Sequence, residues 1–477
     1  MILQFVSSLQ WLQPATVACI STGLRFLHLP ASPTCPRPRA GTSESFTGPV
    51  VRIAPNELSF ATLEAQTEIY TKQEEGGFSK KATFIDFLTG LLFADTSPTL
   101  LTVSDIHTHR TLRRTVEQAF TPSALAEQSR SQELHIDKAI LKLEQCADGE
   151  EIDLGAQLDM ILWDILADVT FGEPLTMGKK STWEYLKTVG KASMPIVEFL
   201  LWASAFPGLA LALDIIFWVL PYRNTPFSKI LPANKFRECL QRQSTSTGKT
   251  FVRALMNHQS FGLCLDNEGL IFNAIVLLFT GYQSSSIAAV ALWYNILRSP
   301  GIYNKLCNEI RESFHDESEI SSERLAKLPI LDGCIREALR LLPPANGKTA
   351  QRTASGGLIA DIYVPKGTMV SADVYSIHRS SRYFRDADSF RPERWLSLGK
   401  DTLFGNDNLK AYRPFSIGPR ACVGKNSALQ SLRLITAKLL WKFDFEMTNT
   451  DFVWERDAFS SLIYTDYSLV VQIKMAR

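Results

Sequence analysis

No two of the eight cysteines (Cys19, Cys35, Cys146, Cys239, Cys264, Cys307, Cys334 and Cys422) are spaced as CxxC, so the sequence offers no zinc-type or disulfide framework. That usage fits a reducing compartment, where a lone cysteine matters through its reactivity. A charge excess of either sign is also missing: 50 Lys and Arg stand against 49 Asp and Glu, for a formal charge of +1. Binding to phosphate backbones draws on clustered positive charge, so nucleic acid is not an expected partner. From Gly48 onward there is no long linker, low-complexity tract or internal repeat. The 477 residues exceed an average domain, yet nothing divides them after that point, which reads as one large domain over 48–477.

Two further stretches lack charge. Residues 1–24 carry none, but Gln4, Gln10, Gln13, Pro14 and Gly23 make them a weak membrane-spanning segment. Arg25, Arg37 and Arg39 follow among Pro30, Pro33, Pro36 and Pro38, the order of an anchor, a basic cluster and a stiff hinge over residues 1–47. This order places the following domain on the cytoplasmic side of a membrane; a short cleaved signal is the alternative. Gly269–Leu297 is uncharged over 29 residues and would score as a membrane span. Its middle, Thr280-Gly281-Tyr282-Gln283-Ser284-Ser285-Ser286, is a polar block that hydrocarbon penalises and a protein cavity can use. With Asp266 as N-cap and Pro300 just beyond, the segment predicts a buried central helix on the order of 45 Å long. Phe199–Leu213 is apolar but broken by Pro207-Gly208, and reads as a roof or membrane-facing entrance, or as ordinary core.

What is present is mostly helical periodicity, with short alternating pieces such as Val50–Ile53 and Leu358–Val364 that read as strands. The fold class is mainly α with small β-sheets. One segment concentrates demanding residue types around a cysteine: Phe415-Ser416-Ile417-Gly418-Pro419-Arg420-Ala421-Cys422-Val423-Gly424. Phe415 can shield a sulfur, Gly418 permits a tight turn and Gly424 a close helix approach. Arg420 offers a rigid fork of donors to an anion.

This segment resembles the heme-binding loop of the cytochrome P-450 superfamily, and other stations of that family appear in order over about 48–477. Glu337-Ala338-Leu339-Arg340 resembles its ExxR motif, and Pro392-Glu393-Arg394-Trp395 the segment whose arginine completes a buried ion cluster. Glu127-Gln128-Ser129-Arg130 has the same spacing but no such context and reads as a solvated pair. His109, Arg113, Arg352 and Arg420 match the family's partners for the two heme propionates, which cannot be buried unpaired. Cys422 matches the thiolate that is the axial ligand of the heme iron and favours O–O cleavage.

The resemblance implies the cytochrome P-450 fold, a single catalytic domain with a long central helix, and heme b, an iron protoporphyrin with a cysteine thiolate ligand. It further implies a monooxygenase that uses dioxygen and electrons from an NADPH-cytochrome reductase to hydroxylate or epoxidise an apolar small molecule. Gly48–Leu58, Phe171–Leu175 and Trp395-Leu396 look like enzymes of filamentous-fungal secondary metabolism, anchored in the endoplasmic reticulum membrane. The central helix departs from the family pattern. Where an acid and an alcohol usually deliver protons, this chain has Gln283, which cannot titrate, followed by Ser284, which keeps the hydroxyl. Heme-thiolate isomerisation or dehydration without a reductase, and non-catalytic heme binding, are the alternatives.

Overall fold

Helices dominate the computed structural model, which describes residues 48–72, 78, 98–146, 148–173, 176–177, 180–181, 209, 238, 241–242, 250–257, 265–345, 350–396, 403–460 and 464–476. The expected anchor and hinge over 1–47, and Phe199–Leu213 apart from Leu209, lie outside the described residues. In chain order the first elements are β1 (Val50–Ala54), β2 (Glu57–Phe60), α1 (Leu63–Thr71), α2 (Ile106–Glu117), α3 (Pro122–Glu144), β3 (Asp148–Asp153) and α4 (Leu154–Phe171). A small hairpin, β4 (Thr176–Met177) and β5 (Lys180–Ser181), precedes α5 (Phe251–Met256), α6 (Asn267–Leu297), α7 (Pro300–Ser313), α8 (Ser322–Leu325) and α9 (Pro329–Leu341). Next come β6 (Arg352–Thr353), β7 (Gly357–Ile359), β8 (Ile362–Val364), β9 (Met369–Ala372) and α10 (Val374–His378). The chain closes with α11 (Lys425–Lys442), β10 (Phe443–Met447), α12 (Trp454–Asp457), β11 (Phe459–Ser460), β12 (Tyr464–Thr465) and β13 (Val470–Met475).

The 31-residue α6 is the axis of the helical core. Asp266 caps it, accepting the Gly269 N–H at 2.8 Å, and Pro300 opens the next helix rather than extending this one. By length and hydropathy α6 could cross a bilayer, but most of its residues are buried within the protein. It packs along α4 and against α9. Gly281 brings it close to α4, since a Cβ there would stand 3.0 Å from Leu166 Cδ1. One turn away the Trp163 ring meets Phe279 at 5.9 Å and Tyr282 at 5.2 Å, both edge-on.

The polar block in α6 divides into two environments. Ser285 and Ser286 are buried, and the Ser286 hydroxyl bonds to the Asp159 carboxylate of α4, which also accepts from Tyr467 Oη at 3.2 Å. Thr280 is exposed and Ser284 partly so. A helix that is apolar along almost its whole length therefore uses its hydroxyls for one buried polar contact and one accessible strip.

A smaller lobe is built on the sheet β1-β2-β9-β6, in which β2 and β9 run parallel and the other pairs antiparallel. Its core joins Phe60, Ile69 and Tyr70 to Val370 and Ile377. Leu358–Val364, read from sequence as a strand piece, is a hairpin: β7 and β8 pair antiparallel around Ala360 and Asp361, whose φ values are 45° and 65°. The sheet β10-β13-β3 closes the helical side, with α11 running directly into β10.

Losing the Asp266 cap should cost the central helix one satisfied N–H. We expect Asp266→Ala to destabilise the protein by about 1 kcal/mol, read as a lowered denaturation midpoint with unchanged helical content.

Candidate functional site

Between Arg413 and Lys425 the chain forms no regular element, and its path is fixed by its own backbone bonds. Ser416 N–H donates to the Arg413 carbonyl at 3.0 Å, Ala421 N–H to Gly418 at 3.0 Å, and Cys422 N–H to Phe415 at 2.9 Å. Gly418 is required by shape and by conformation: its φ is +77°, and a Cβ there would collide with the Tyr70 carbonyl oxygen at the end of α1. Gly424 differs from expectation. A Cβ there would meet Phe120 Cε1 at 3.7 Å and the Cys422 sulfur at 3.9 Å, which is ordinary contact, so no approach between protein groups demands glycine here. Phe415 is partly buried against the main core, with Lys425 Nζ 5.9 Å from its ring centroid.

The sulfur of Cys422 stands at the N-terminus of the 18-residue α11. The N–H groups of Gly424 and Lys425 donate to it, and the charges of Arg113 and Lys425 also favour the thiolate. Burial acts the other way and dominates, so the thiol pKa is raised. Yet Cys422 is exposed, unlike the buried Cys307 and Cys334. The sulfur is thus packed closely enough for burial to hold it neutral in a residue that is otherwise exposed, and a metal cation beside it would deprotonate it.

Of the four cationic or imidazole side chains singled out in the sequence, Arg420 belongs to this loop and Arg113 bonds it directly. His109 is buried on α2 and Arg113 lies one turn further along, while Arg110 and Arg114 are exposed. Arg113 donates from Nη1 to the Ala421 and Pro419 carbonyls at 2.6 and 3.3 Å, holding the loop from outside, and from Nε to Glu117 at 2.7 Å. Arg420 donates to the carbonyls of Val103 and Ser104 at 2.9 and 3.2 Å. Arg352 is the most demanding of these groups. It is buried, it stands 5.3 Å from the centroid of the Tyr70 ring, its Nη1 reaches only the carbonyls of Ala350 and Gln351, and its Nε has no hydrogen-bond partner. A buried guanidinium without a carboxylate is costly, and an anionic group beside it would relieve that cost. Because Tyr70 touches both Arg352 and the Gly418 turn, such an anion would lie in the neighbourhood of the cysteine loop. An open thiol backed by N–H donors and an unsatisfied buried cation fit a cofactor with a metal at its centre and carboxylates at its edge.

Behind the loop lies an ion cluster with no water-exposed member. Glu337 and Arg340 sit one turn apart on α9 and pair through two bonds, at 2.8 and 3.0 Å. Glu337 also accepts from Arg394 Nε at 3.0 and 3.1 Å, from Trp395 Nε1 at 2.9 Å and from the Arg391 N–H at 2.9 Å. Arg394 turns its other side to Asp407. The remaining donors of Arg340 go to the carbonyls of His378, Ala387 and Ser389. Two carboxylates thus balance two guanidinium groups, with nearly every donor used. Glu127 and Arg130, of identical spacing, are both exposed on α3.

On α6, Ser284 Oγ donates to the Thr280 carbonyl at 2.7 Å and Thr280 Oγ1 to Val276 at 2.7 Å. Gln283 is partly buried beside them. In this state the hydroxyls soften the helix turn by turn and present their lone pairs to the accessible strip.

A sequence model of the cytochrome P-450 family matches residues 44–471. The chain belongs to the cytochrome P-450 family. It is 50% identical over 431 residues to the cytochrome P450 monooxygenase tpcB of Cochliobolus heterostrophus, covering 90% of this chain and 84% of that protein. A cytochrome P450 monooxygenase of Fusarium proliferatum is 49% identical, with the same coverage, and the sesterfisheric acid synthase of Neosartorya fischeri 35% identical over 89% of this chain and 81% of its own. This cytochrome P-450 is a monooxygenase of the kind found in fungal secondary metabolism. Membership implies a heme-thiolate cofactor, a redox partner, dioxygen and an organic substrate.

Several residues at the site carry no motif. Asp407 and His378 complete the cluster, and Tyr70 supplies the wall against which the loop turns. No local pattern in the sequence marks them.

The cluster predicts an asymmetric mutational response. Glu337→Ala or Arg340→Ala strands a buried charge and should cost about 3–5 kcal/mol, seen as loss of folded protein. Glu127→Ala should change stability by less than about 0.5 kcal/mol in the same denaturation assay.

Proposed function

We propose that Cys422 is the axial thiolate of a heme b iron and that this cytochrome P-450 hydroxylates or epoxidises an apolar small molecule, drawing electrons from an NADPH-cytochrome reductase. The observation that carries the reading is Cys422, an exposed residue whose sulfur is backed by two N–H donors at a helix N-terminus. Bound heme supplies one-electron and dioxygen chemistry that no side chain provides. The chain's own contribution begins with retention. Arg352 would take one propionate, and His109, Arg113 and Arg420 would exchange some of their present carbonyl partners for the other. The Gly424 and Lys425 N–H groups would spread the charge of the sulfur and limit its basicity.

On the other side, the accessible strip of α6 would govern protons. Gln283 holds water by donating and accepting but has no proton to lose near neutral pH, whereas Ser284 keeps a hydroxyl able to accept from the same water. The names of the relatives, one of them a sesterfisheric acid synthase, support a secondary-metabolite scaffold. Residues 1–24 would anchor the enzyme in the endoplasmic reticulum membrane with its catalytic domain toward the cytoplasm. The absence of a titratable group at Gln283 favours a second reading, a reductase-independent isomerisation or dehydration, which needs neither NADPH nor dioxygen.

Two experiments test these assignments. The reduced carbonyl complex of the purified protein should show the red-shifted Soret band characteristic of thiolate ligation, and Cys422→Ser should abolish it; persistence of the band would exclude this sulfur. In a reconstituted assay, Ser284→Ala should raise the fraction of NADPH consumed as peroxide, and Gln283→Glu should leave coupling equal or better. Product identity changing in both without a change in coupling would make the strip a substrate wall, and turnover without NADPH would select the second reading.

A further inference from the structure

His378, the last residue of α10, is completely buried where α9 meets the chain that leads to the cysteine loop. Its two ring nitrogens have different partners. Nδ1 lies 3.1 Å from the Arg340 carbonyl oxygen and must donate, while Nε2 accepts the Arg413 backbone N–H at 2.9 Å. Only one neutral tautomer satisfies both. The ring also stacks on Tyr412, with centroids 5.7 Å apart and planes at 25°. Tyr412 packs on Trp395 at 4.7 Å, and the Trp395 indole donates to Glu337. The circuit closes on the ion cluster from both directions. From Arg413 it continues into the loop, because the Arg413 carbonyl accepts from Ser416, and Phe415 next to it receives the Cys422 N–H.

We infer that His378 is a positioning residue for the Cys422 loop, its imidazole joining the Arg340 carbonyl to the Arg413 N–H so that the buried ion cluster fixes where the loop begins. The inference rests on the heme-thiolate reading of Cys422. Protonation would destroy the joint, since Nε2–H would confront the Arg413 N–H donor and place a second positive charge beside Arg340. Of the groups around the ring only Arg340, facing it from α9, acts in that sense; Tyr412 is neutral, and its own helix carries Asp373 at the N-cap and Arg379 just past the C-terminus, the latter paired with Asp388 and Glu455. Burial first, and Arg340 second, push the His378 pKa down to about 3. A histidine free in the unfolded chain titrates near 6.5, so the unfolded state takes up a proton the folded state refuses. The contribution of this joint is therefore complete above about pH 6.5 and is lost as pH falls toward about 3.

The test follows the reduced carbonyl band of the heme-loaded enzyme from pH 8 down to about 3, where the folded-state imidazole titrates. In the wild type the thiolate-type band should give way to the neutral-thiol type on the acid side. His378→Gln, whose amide can donate and accept but cannot titrate, should keep the band at pH 7.5 and flatten the acid limb. His378→Leu should lose most of the thiolate-type band at pH 7.5 or fail to accumulate. Leu306→Ala, in the core far from the loop in sequence, should lower the denaturation midpoint without moving the pH profile. A Leu variant with the wild-type band and profile, or a Gln variant with the wild-type acid limb, would overturn the inference. A wild type lacking the thiolate band at every pH would instead overturn the heme-thiolate reading and the inference with it.

Discussion

A carboxylate buried without water must be surrounded by donors, and Glu337 is the point from which much of this structure is organised. It holds Arg340 on its own helix, Arg394 and Trp395 from the turn after Phe390, and the backbone of Arg391. Each partner then fixes another segment: Arg340 gathers three carbonyls between His378 and Ser389, and Arg394 reaches Asp407. The segment from 378 to 413 has little regular structure, so these polar bonds do the work that a ladder of strands would otherwise do. Replacing such a cluster by well-packed apolar side chains could be equally stable, but it would not specify so closely where each carbonyl lies.

The same trade between burial and polar compensation recurs at the sulfur. Desolvation favours the neutral thiol at Cys422, and the helix N-terminus, Arg113 and Lys425 only partly offset it. The balance leaves a cysteine that is held in place by the protein and completed by a positive centre from outside. Arg352 has the complementary deficiency, a buried cation whose Nε lacks an acceptor. On the heme-thiolate reading proposed above, one cofactor would satisfy both groups.

The central helix resolves a different conflict. An almost uncharged helix of 31 residues gains stability by burial, yet a monooxygenase needs polar groups at a cavity. Serine and threonine reconcile these demands because their hydroxyls can return to the preceding carbonyls, as Thr280 and Ser284 do, or reach a buried acid, as Ser286 does. Gln283 adds hydrogen-bonding capacity without a charge to desolvate.

The helical class, the central helix with its Asp266 cap, the family, and the pairing of Glu337 with Arg340 were legible in the residues alone, because each depends on local spacing or on a short run of residues. The sequence also separated that pair from Glu127 and Arg130, whose spacing is the same, by the company of Pro343-Pro344 and the cysteine segment downstream. Which neighbours complete the site depends on how the folded chain packs. Arg113 and Arg420 bond carbonyls of segments hundreds of residues away, Gly418 rather than Gly424 is the glycine a protein neighbour demands, and His378 becomes a two-sided hydrogen-bond bridge. Those facts depend on distances between chain segments that no local pattern encodes, since a buried polar group is satisfied by whatever the packed fold brings to it.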